Sequence, residues 1–310
     1  MPDATTQTRQ PRVERELTPP SLLRLQHYPA PPALQPYITT LFTLRCMERE
    51  IRDMLPAAVG YLAIVIAGNG TMRFADGRTD QAHPETLLAP TNAAVELKVD
   101  GPLDMLAAAL SPLGWATLTK LDASRHVDRA DDADALLGDG IHDLGIRIRR
   151  LAAEGQTSDA DLAMLLAEHI GARLGPLNPQ HVRLIGQVAD WMSDRIDPQL
   201  PELLARTGYS PRQLERLVAR YFGSTPKQLA RKYRALRVVA LLQSAETSDE
   251  KAAGLVNLFY DQSHMIREVR RFVGRTPQRL AAADESVLQS AIALRNYREF
   301  RPNIARIPDD

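Results

Sequence analysis

The sequence predicts an α+β chain: a small β-barrel-like N-terminal domain, a helical linker, and an all-α C-terminal domain of two repeated helical motifs joined by a long helix. Three observations lead to this prediction. Short apolar segments separated by turn dipeptides fill the first third of the chain, the apolar spacing becomes helical from about residue 130, and one 16-residue pattern occurs twice near the end. The 310 residues, 44% of them apolar, suffice for two packed domains.

Turn signals divide the N-terminal part into predicted strands. The apolar segment 60–68 is followed by Asn69-Gly70, a dipeptide typical of a two-residue hairpin, and Asp76-Gly77 marks a second turn. Segment 93–99 alternates apolar and polar residues, as a half-buried strand does, and 103–115 is predicted as a further strand that ends at a Pro/Gly turn. Several short strands of this kind are typical of a small barrel or sandwich.

Helical spacing follows, with predicted helices at 141–153, 158–174 and 178–194. The second of these helices carries an apolar stripe, which is either intramolecular core or the seam of a dimer. The stripe consists of Leu162, Leu165, Leu166 and Ile170.

The C-terminal part contains one motif twice, 51 positions apart. Residues 214–229 and 265–280 share 7 identities in 16 positions, which indicates a duplicated supersecondary unit. In the first copy Gly208 is the predicted left-handed turn residue, Ser210 the N-cap and Pro211 the first residue of the next helix. Helix, glycine-containing turn and helix is the helix-turn-helix plan, whose second helix enters the DNA major groove.

The charge of the chain is unevenly distributed. Residues 181–280 carry 17 Lys+Arg and 10 Asp+Glu, a balance of +7, so the remainder carries 38−17=21 basic and 38−10=28 acidic residues, a balance of −7. A basic domain joined to an acidic one predicts a polyanionic partner for the basic end alone. Between the two copies, 225–244 is predicted as one helix about 30 Å long, a spacer suited to two helices about one DNA turn apart.

The segments SPRQLERL and GSTP, together with FYDQSHMIREVRRFVGRTP, resemble the tandem helix-turn-helix domain of AraC/XylS-type transcriptional regulators. The resemblance covers about 180–280 and extends more loosely to SPLGW (111–115) and NYREFRPN (296–303). It implies a sequence-specific regulator that inserts two recognition helices into adjacent major grooves. It also implies an N-terminal sensing domain that responds to an effector or to dimerisation. Double-stranded DNA, RNA polymerase, a small-molecule effector and a second copy of the chain are the implied partners.

Exposed positions of each second helix are the candidate DNA contacts. Arg216 and Arg267 hold equivalent positions, and the alternative to base contact is a surface salt bridge with the nearby Glu215 and Glu268. Arg220 and Arg271 serve packing or phosphate contact, and Lys227, Arg231 and Arg234 either touch phosphate or form a solvated face. The predicted DNA-binding set is Ser210, Arg212, Gln213, Glu215, Arg216, Arg220, Lys227, Gln262, Ser263, His264, Arg267 and Arg271.

The second copy departs from the family pattern at two positions. Gly254 stands where the family has a small residue, inside a predicted helix, and Leu258 stands where a turn glycine is usual. Glycine inside a helix costs about 1 kcal/mol relative to alanine, and a turn without glycine is strained if it needs a left-handed residue. The second motif is therefore predicted to be the less stable of the two.

The N-terminal domain offers fewer chemical signals. Tyr61, Phe74 and Trp115 are either an effector pocket or part of the core, and neither a metal site nor a cofactor is predicted from His27 and His83. The rival function is a DNA-targeted enzyme, such as an alkyl-accepting repair protein that uses Cys46. That chemistry needs an activated thiolate, and Cys46 has no Cys or His beside it in the sequence.

The predicted domain boundaries follow from these signals. A disordered tail occupies 1–20, the β-rich sensing domain 21–135, a helical linker or dimerisation region 136–177, the tandem helix-turn-helix domain 178–281, and a C-terminal extension 282–310. A single cysteine, no signal peptide and no long apolar segment predict a cytoplasmic protein without a membrane partner.

The charge balance yields the first testable prediction. Residues 178–281, expressed alone, are expected to bind duplex DNA with an affinity that falls steeply as salt rises, because each neutralised phosphate releases counterions. Fluorescence anisotropy with a labelled duplex at increasing NaCl concentrations measures the slope. An affinity that stays flat between low and physiological salt contradicts the prediction.

Overall fold

The computed structural model describes residues 17–18, 22–138, 140–243 and 254–275. An antiparallel sheet of eight strands makes up most of its first half. The strands are β1 (Leu23–Tyr28), β2 (Ile38–Cys46), β3 (Glu50–Leu55), β4 (Tyr61–Arg73), β5 (Thr79–Gln81), β6 (Glu85–Leu88), β7 (Val95–Leu110) and β8 (Ala130–Asp132).

The second half is helical, so the predicted α+β fold class is confirmed. A 3-10 turn at Pro32–Leu34 precedes the α-helices. The helices are α1 (Pro112–Thr119), α2 (Ala123–His126), α3 (Ala133–Leu137), α4 (Ile141–Glu154), α5 (Asp159–Gly171), α6 (Pro179–Asp194), α7 (Leu200–Thr207), α8 (Pro211–Phe222), α9 (Pro226–Leu242) and α10 (Gln262–Val273).

One face of the sheet packs against helices, and the other lines a cavity. Its strand order is β1-β2-β7-β4-β6-β8, with β3 paired to β7 and β5 to β4. In β4 the side chains alternate: Leu62 and Ile64 pack against the helical layer of α1, α4 and α5, whereas Tyr61, Ala63 and Val65 line a cavity on the other side. The long strands β4 and β7 therefore belong to a packed core and to a cavity wall at once.

The apolar stripe of α5 lies in the helical layer. Leu162, Leu166 and Ile170 are at most 2% exposed and pack with Leu106 of β7 in one cluster, and Leu165 is partly buried against that cluster. The stripe is therefore core within the chain, the first of the two alternatives that the sequence left open.

Two turn predictions in the sheet are wrong. Asn69-Gly70 does not close a hairpin, because β4 continues through it as one strand of 13 residues paired to β7. The register shifts just before it, between Val65 and Asn69, are β-bulges. Gly68 has the φ of +95° that such a bulge needs, and Gly70 allows the close approach of the β7 backbone. Likewise the predicted turn after residue 110 is the start of α1, where Ser111 caps the helix.

The ends of the chain are described only in part. Of the predicted tail 1–20, residues 17–18 are described, and Thr18 exchanges two hydrogen bonds with Arg52 of β3. The remainder of that tail, the predicted extension 282–310 with its segment 296–303, and the repeat positions beyond 275 lie outside the described residues.

The first helix-turn-helix motif has the turn glycine and the helix caps that the sequence predicts. α7 ends at Gly208, whose φ of +68° is the left-handed conformation that glycine adopts without strain. Ser210 and Gln213 form a capping box at the start of α8, and Thr225 and Gln228 form another at the start of α9. α9 has 17 residues and is about 25 Å long, somewhat shorter than predicted.

The second motif makes its turn without a left-handed residue at Leu258. Residues 254–256 are helical, and successive short-range bonds follow, among them Leu258 N–H to Leu255 O and Phe259 N–H to Val256 O. Leu258 does not have positive φ, and its side chain packs against the helical core. The second motif therefore has a turn geometry that does not need glycine, and Leu258 contributes its side chain to the core.

These backbone conformations predict opposite effects for the same substitution at two glycines. A Cβ at Gly254 or at Gly208 would meet nothing within 4 Å, but only Gly208 has positive φ. Gly254→Ala is expected to raise the free energy of unfolding by about 0.5–1 kcal/mol, since alanine restricts the unfolded chain. Gly208→Ala is expected to lower it by about 1–2 kcal/mol. Urea unfolding followed by circular dichroism measures both, and shifts of the same sign would contradict this assignment.

Candidate nucleic-acid interface

The first recognition helix, α8, presents a polar face to solvent. Leu214, Leu217 and Val218 recur at helical spacing and are at most 6% exposed in the helical core. The opposite face carries the predicted DNA-binding residues of this motif, and all of them are exposed: Ser210, Arg212, Gln213, Glu215, Arg216 and Arg220.

The second recognition helix, α10, is built in the same way. Met265, Val269 and Phe272 are buried, Asp261 caps the first turn, and Gly274 ends the helix at φ +84°. His264 is half-buried, whereas the other predicted residues of this helix, Gln262, Ser263, Arg267 and Arg271, are exposed. Ile266 and Arg270, which are absent from the predicted set, share the exposed face.

Glu268 is the residue that the sequence interpretation places wrongly. A surface salt bridge with Arg267 is the sequence-based alternative, but Glu268 is 2% exposed and accepts hydrogen bonds from two arginines of α9. The Arg231 Nε atom lies 2.5 Å from its Oε1 and the Arg234 Nη2 atom 2.8 Å from its Oε2, while His264 Nε2 lies 3.5 Å away. The signal is present in the sequence, because Glu268 falls on the apolar stripe of its helix, three residues after Met265.

The cation cluster around Glu268 joins the two motifs. Burial by itself raises the pKa of Glu268, but the hydrogen bonds from Arg234 and Arg231 outweigh it, and the pKa lies below its ordinary value. Arg234 also donates to Asp197 in the loop before α7, over 3.0 Å. Its side chain is only 12% exposed, so Arg234 connects the motifs and is not available as a phosphate contact.

The remaining basic residues near the interface differ in their surroundings. Lys227 is exposed in the first turn of α9. Arg220 and Arg271, equivalent in the two copies, are exposed and each lies over the ring of the residue that follows it, Tyr221 at 5.8 Å and Phe272 at 5.4 Å. Ring packing and exposure thus coexist at these two arginines.

The sheet domain binds the C-terminal end of each recognition helix. In the loop between β6 and β7, the Asn92 side chain donates to the Gly223 carbonyl at the end of α8 over 2.9 Å and accepts from the Ser224 hydroxyl. The Ala94 N–H of the same loop donates to the Arg271 carbonyl of α10 over 2.8 Å. Residues 89–94, the clamp loop, therefore contact both motifs.

A second segment of the sheet domain bonds to α10 and to the residues that follow it. The Ala57 N–H donates to the Phe272 carbonyl over 2.7 Å, and Arg275 forms a buried salt bridge of 2.6 Å with Asp53 of β3. Burial raises the pKa of Asp53, and the charge of Arg275 opposes this rise. Gly274 fits so closely that a Cβ there would lie 2.9 Å from Met54 Cβ.

Lys232 of α9 is buried where the clamp loop meets the helical domain. It is 2% exposed, and its Nζ donates to the Thr91 carbonyl over 3.1 Å. Burial lowers the pKa of Lys232 to about 8, and the carboxylate of Asp128 opposes this shift. No local sequence signal indicates that this lysine, within a basic helix, faces the other domain.

The cavity of the sheet domain is almost wholly apolar and has a volume of about 140 Å³. Of the three residues of the predicted effector pocket, Tyr61 lines this cavity. Phe74 and Trp115 do not: Phe74 is packed in an apolar cluster beneath Arg78, and Trp115 lies in the core on the helical face of the sheet. Other lining side chains are Leu25, Phe42, Leu44, Val65, Leu97 and Met105.

The cavity and the clamp are neighbours along the chain. Ala58 and Thr91 line the cavity, and Ala58 follows Ala57, which bonds to α10. Thr91 lies in the clamp loop and accepts from Lys232. The Ala58 N–H donates to Thr91 Oγ1 over 2.9 Å, so the two segments that bind α10 are also bonded to one another.

Cys46, the residue of the rival enzymatic function, is 1% exposed at the end of β2 in an apolar cluster. A thiol that accepts an alkyl group from DNA must be reached by the DNA, and burial in this cluster prevents such contact. The geometry gives that function no support.

Within the described ranges, no group of three or more His, Cys, Asp and Glu side chains is arranged to hold a metal ion. Among the same residues, none of the helices combines the length and the apolarity needed to cross a bilayer.

Comparison with known families identifies the helical region. Residues 203–283 match the family model described as a helix-turn-helix domain, which confirms the predicted motif in this part of the chain. Comparison with curated protein sequences gives no significant match.

The solved structures that match this chain share little sequence with it. ToxT from Vibrio cholerae, at 1.65 Å resolution, has 9% identity and a TM-score of 0.45, with 84% of this chain and 98% of that chain covered. An apo form of a ToxT point variant from Vibrio cholerae strain SCE256 has 10% identity and a TM-score of 0.44, covering 87% and 100%. The AraC-like transcriptional activator CuxR has 11% identity and a TM-score of 0.28, covering 70% and 86%.

The buried amine of Lys232 predicts a pH dependence of stability. Its pKa is about 8 in the folded chain against 10.5 unfolded, so between these values the unfolded state binds more protons. The free energy of unfolding should therefore rise as the pH rises from about 8 towards 10.5, by about 3 kcal/mol at most. Urea midpoints measured at several pH values for the wild type and for Lys232→Met isolate this contribution. Parallel pH profiles for the two proteins would show that Lys232 is not buried as described.

Proposed function

We propose that this chain, whose residues 203–283 form an AraC-type helix-turn-helix domain, is a transcriptional regulator that inserts α8 and α10 into adjacent major grooves of duplex DNA. The arrangement of the two recognition helices is the observation that carries the proposal. Each buries an apolar stripe and exposes a face with two or more arginines, and arginine is the side chain that most often reads guanine. Such a function belongs in the cytoplasm, with the DNA.

The packing of both motifs on α9 supports simultaneous binding. α9 is about 25 Å long, and the buried Glu268 cluster fixes α10 on α9 while Arg234 reaches the loop before α7. A rigid pair loses little conformational freedom on binding, so both helices can contact one face of the DNA without rearrangement.

Some of the exposed residues are proposed to read bases and others to contact phosphate. Arg216 and Arg267 are the proposed guanine readers, each with its guanidinium on the exposed face of a recognition helix. Lys227, exposed near the N-terminus of α9, is a proposed phosphate contact that fixes register without sequence preference. The other predicted contacts are Ser210, Arg212, Gln213, Glu215, Arg220, Gln262, Ser263, His264 and Arg271.

The cavity of the sheet domain supports an apolar effector. A dry apolar cavity of about 150 Å³ accepts a benzene-sized molecule in other proteins, and this cavity has about 140 Å³. Because Thr91 of the clamp loop and Ala58 line it, a bound molecule touches the two segments that hold α10. Occupancy is thereby proposed to change how firmly the recognition helices are held, and with it the affinity for DNA.

RNA polymerase and a second copy of the chain are further partners that the family resemblance implies.

The proposed division of roles is tested by two substitutions on neighbouring elements. Arg216→Ala is expected to cost about 1–3 kcal/mol on the specific operator and to relax preference at one base pair. Lys227→Ala is expected to weaken all sequences about equally and to reduce the salt dependence. Operator selection from a random library with the full chain, followed by competition titrations, measures both. Specific binding that survives Arg216→Ala unchanged, in a folded variant, contradicts base reading by this helix.

The proposed effector site is tested with fluorobenzene as the probe. Its ¹⁹F NMR signal should broaden and shift on addition of the wild-type chain in a saturable manner. Val65→Phe, which fills the cavity, should abolish the effect. Val182→Phe is the matched control, because Val182 is 38% exposed on α6 and the same change there leaves the cavity empty. Equal signals from the two variants would place the probe outside the cavity.

A further inference from the structure

The two recognition helices differ at the position before their shared arginine. With the repeat offset of 51, Arg216 of α8 corresponds to Arg267 of α10, and Glu215 corresponds to Ile266. Both residues of this second pair are exposed, and they stand at the same place relative to the arginine. The two copies therefore share the arginine but differ at the residue before it, which is acidic in α8 and aliphatic in α10.

Ile266 is an exception on its own helix. It is 37% exposed, whereas the other large apolar side chains of α10, such as Met265 and Val269, are at most 5% exposed. Its neighbours on the exposed face at helical spacing are Ser263 and Arg270. In the described parts of α8 and α10, Ile266 is the one large apolar side chain that remains exposed.

The major groove offers one apolar group to such a side chain. Each base pair presents donors and acceptors there, and thymine adds its C5-methyl group. An aliphatic side chain that covers this methyl group removes both from water, while it can satisfy no donor or acceptor of the other bases.

A glutamate at the equivalent position has the opposite chemistry. A carboxylate accepts hydrogen bonds and matches the N4 amino group of cytosine, which is the donor of the G·C pair in the major groove. It gains nothing from a thymine methyl group, and a thymine O4 acceptor opposite it is unfavourable.

We propose that Ile266 and Glu215 make the two half-sites different. α10 prefers thymine, read through its methyl group, beside the guanine contacted by Arg267, and α8 prefers cytosine beside the guanine contacted by Arg216. The inference rests on the proposed DNA-binding function and adds to it the identity of the neighbouring base. It also fixes the direction in which the chain lies on an asymmetric operator.

The methyl group can be removed without another change to the DNA. An operator is first selected with the full chain from a random duplex library. Each thymine of the α10 half-site is then replaced by deoxyuridine, one at a time, and affinities are measured by anisotropy. At one thymine, next to the guanine sensed by Arg267, the wild type is expected to bind about fourfold more weakly to the uracil duplex, the ratio that corresponds to about 0.8 kcal/mol for one methyl group.

Substitution of Ile266 must abolish this sensitivity. Ile266→Ala is expected to bind thymine and uracil duplexes equally, and Glu215→Ala, the matched control in α8, to retain the fourfold ratio. Ile266→Glu is expected to move the preference at this position from thymine to cytosine, so that the two half-sites become alike. Circular dichroism and binding to non-specific duplex establish that each variant is folded.

Each outcome decides the matter. The inference is overturned if the selected operator shows no uracil sensitivity at any thymine of the α10 half-site. It is also overturned if the sensitivity survives Ile266→Ala. Both outcomes leave the DNA-binding function intact. A library that yields no enriched sequence overturns both. Loss of sensitivity in Ile266→Ala alone, with cytosine preferred by Ile266→Glu, establishes it.

Discussion

The geometry of the helical domain depends on one buried carboxylate. Glu268 sits at 2% exposure on the apolar stripe of α10 and is neutralised by Arg231 and Arg234 of α9. A buried charge is tolerated only when its partners are in place, so α10 can dock on α9 in few orientations. Since Arg234 also binds Asp197 before α7, the same cluster limits the angle between the two motifs.

The sheet domain adds a second constraint from the opposite end of the recognition helices. Asn92, Ala94 and Ala57 bind carbonyl groups at the C-terminal ends of α8 and α10, and Asp53 pairs with Arg275 beyond α10. These contacts are polar and in part buried, so they specify one arrangement of the domains more than they add net stability. Ala58 and Thr91, which belong to the same two segments, also line the apolar cavity.

The sequence predicted the elements of the helical domain well because their signals are local. Gly208, Ser210 and Thr225 have the conformations and capping bonds that their residue types favour. The Asn69-Gly70 dipeptide misled because strand pairing with β7 overrides a local turn preference and turns the glycines into a bulge. Glu268, despite its place on the apolar stripe of α10, and Lys232 were missed for another reason. Charged residues are predicted as exposed unless a partner is known, and their partners lie more than 30 residues away in sequence.

The cavity was equally hard to predict. An aromatic residue on a strand is buried on either face, and the alternation of β4 alone does not tell which face is covered by helices. Tyr61 lies on the cavity side, whereas Trp115 is not on a strand at all but in α1. Only the packing of α1, α4 and α5 on one face leaves the other face hollow.

The clamp contacts also have an electrostatic consequence. Aligned peptide dipoles give every α-helix a partial negative charge at its C-terminus and a partial positive charge at its N-terminus. The N–H groups of Ala57 and Ala94 and the amide of Asn92 all meet the negative ends of α8 and α10, which leaves the positive ends directed away from these contacts. The sheet domain thus meets both dipoles at their negative ends, and under the proposed function the positive ends remain for the polyanionic partner.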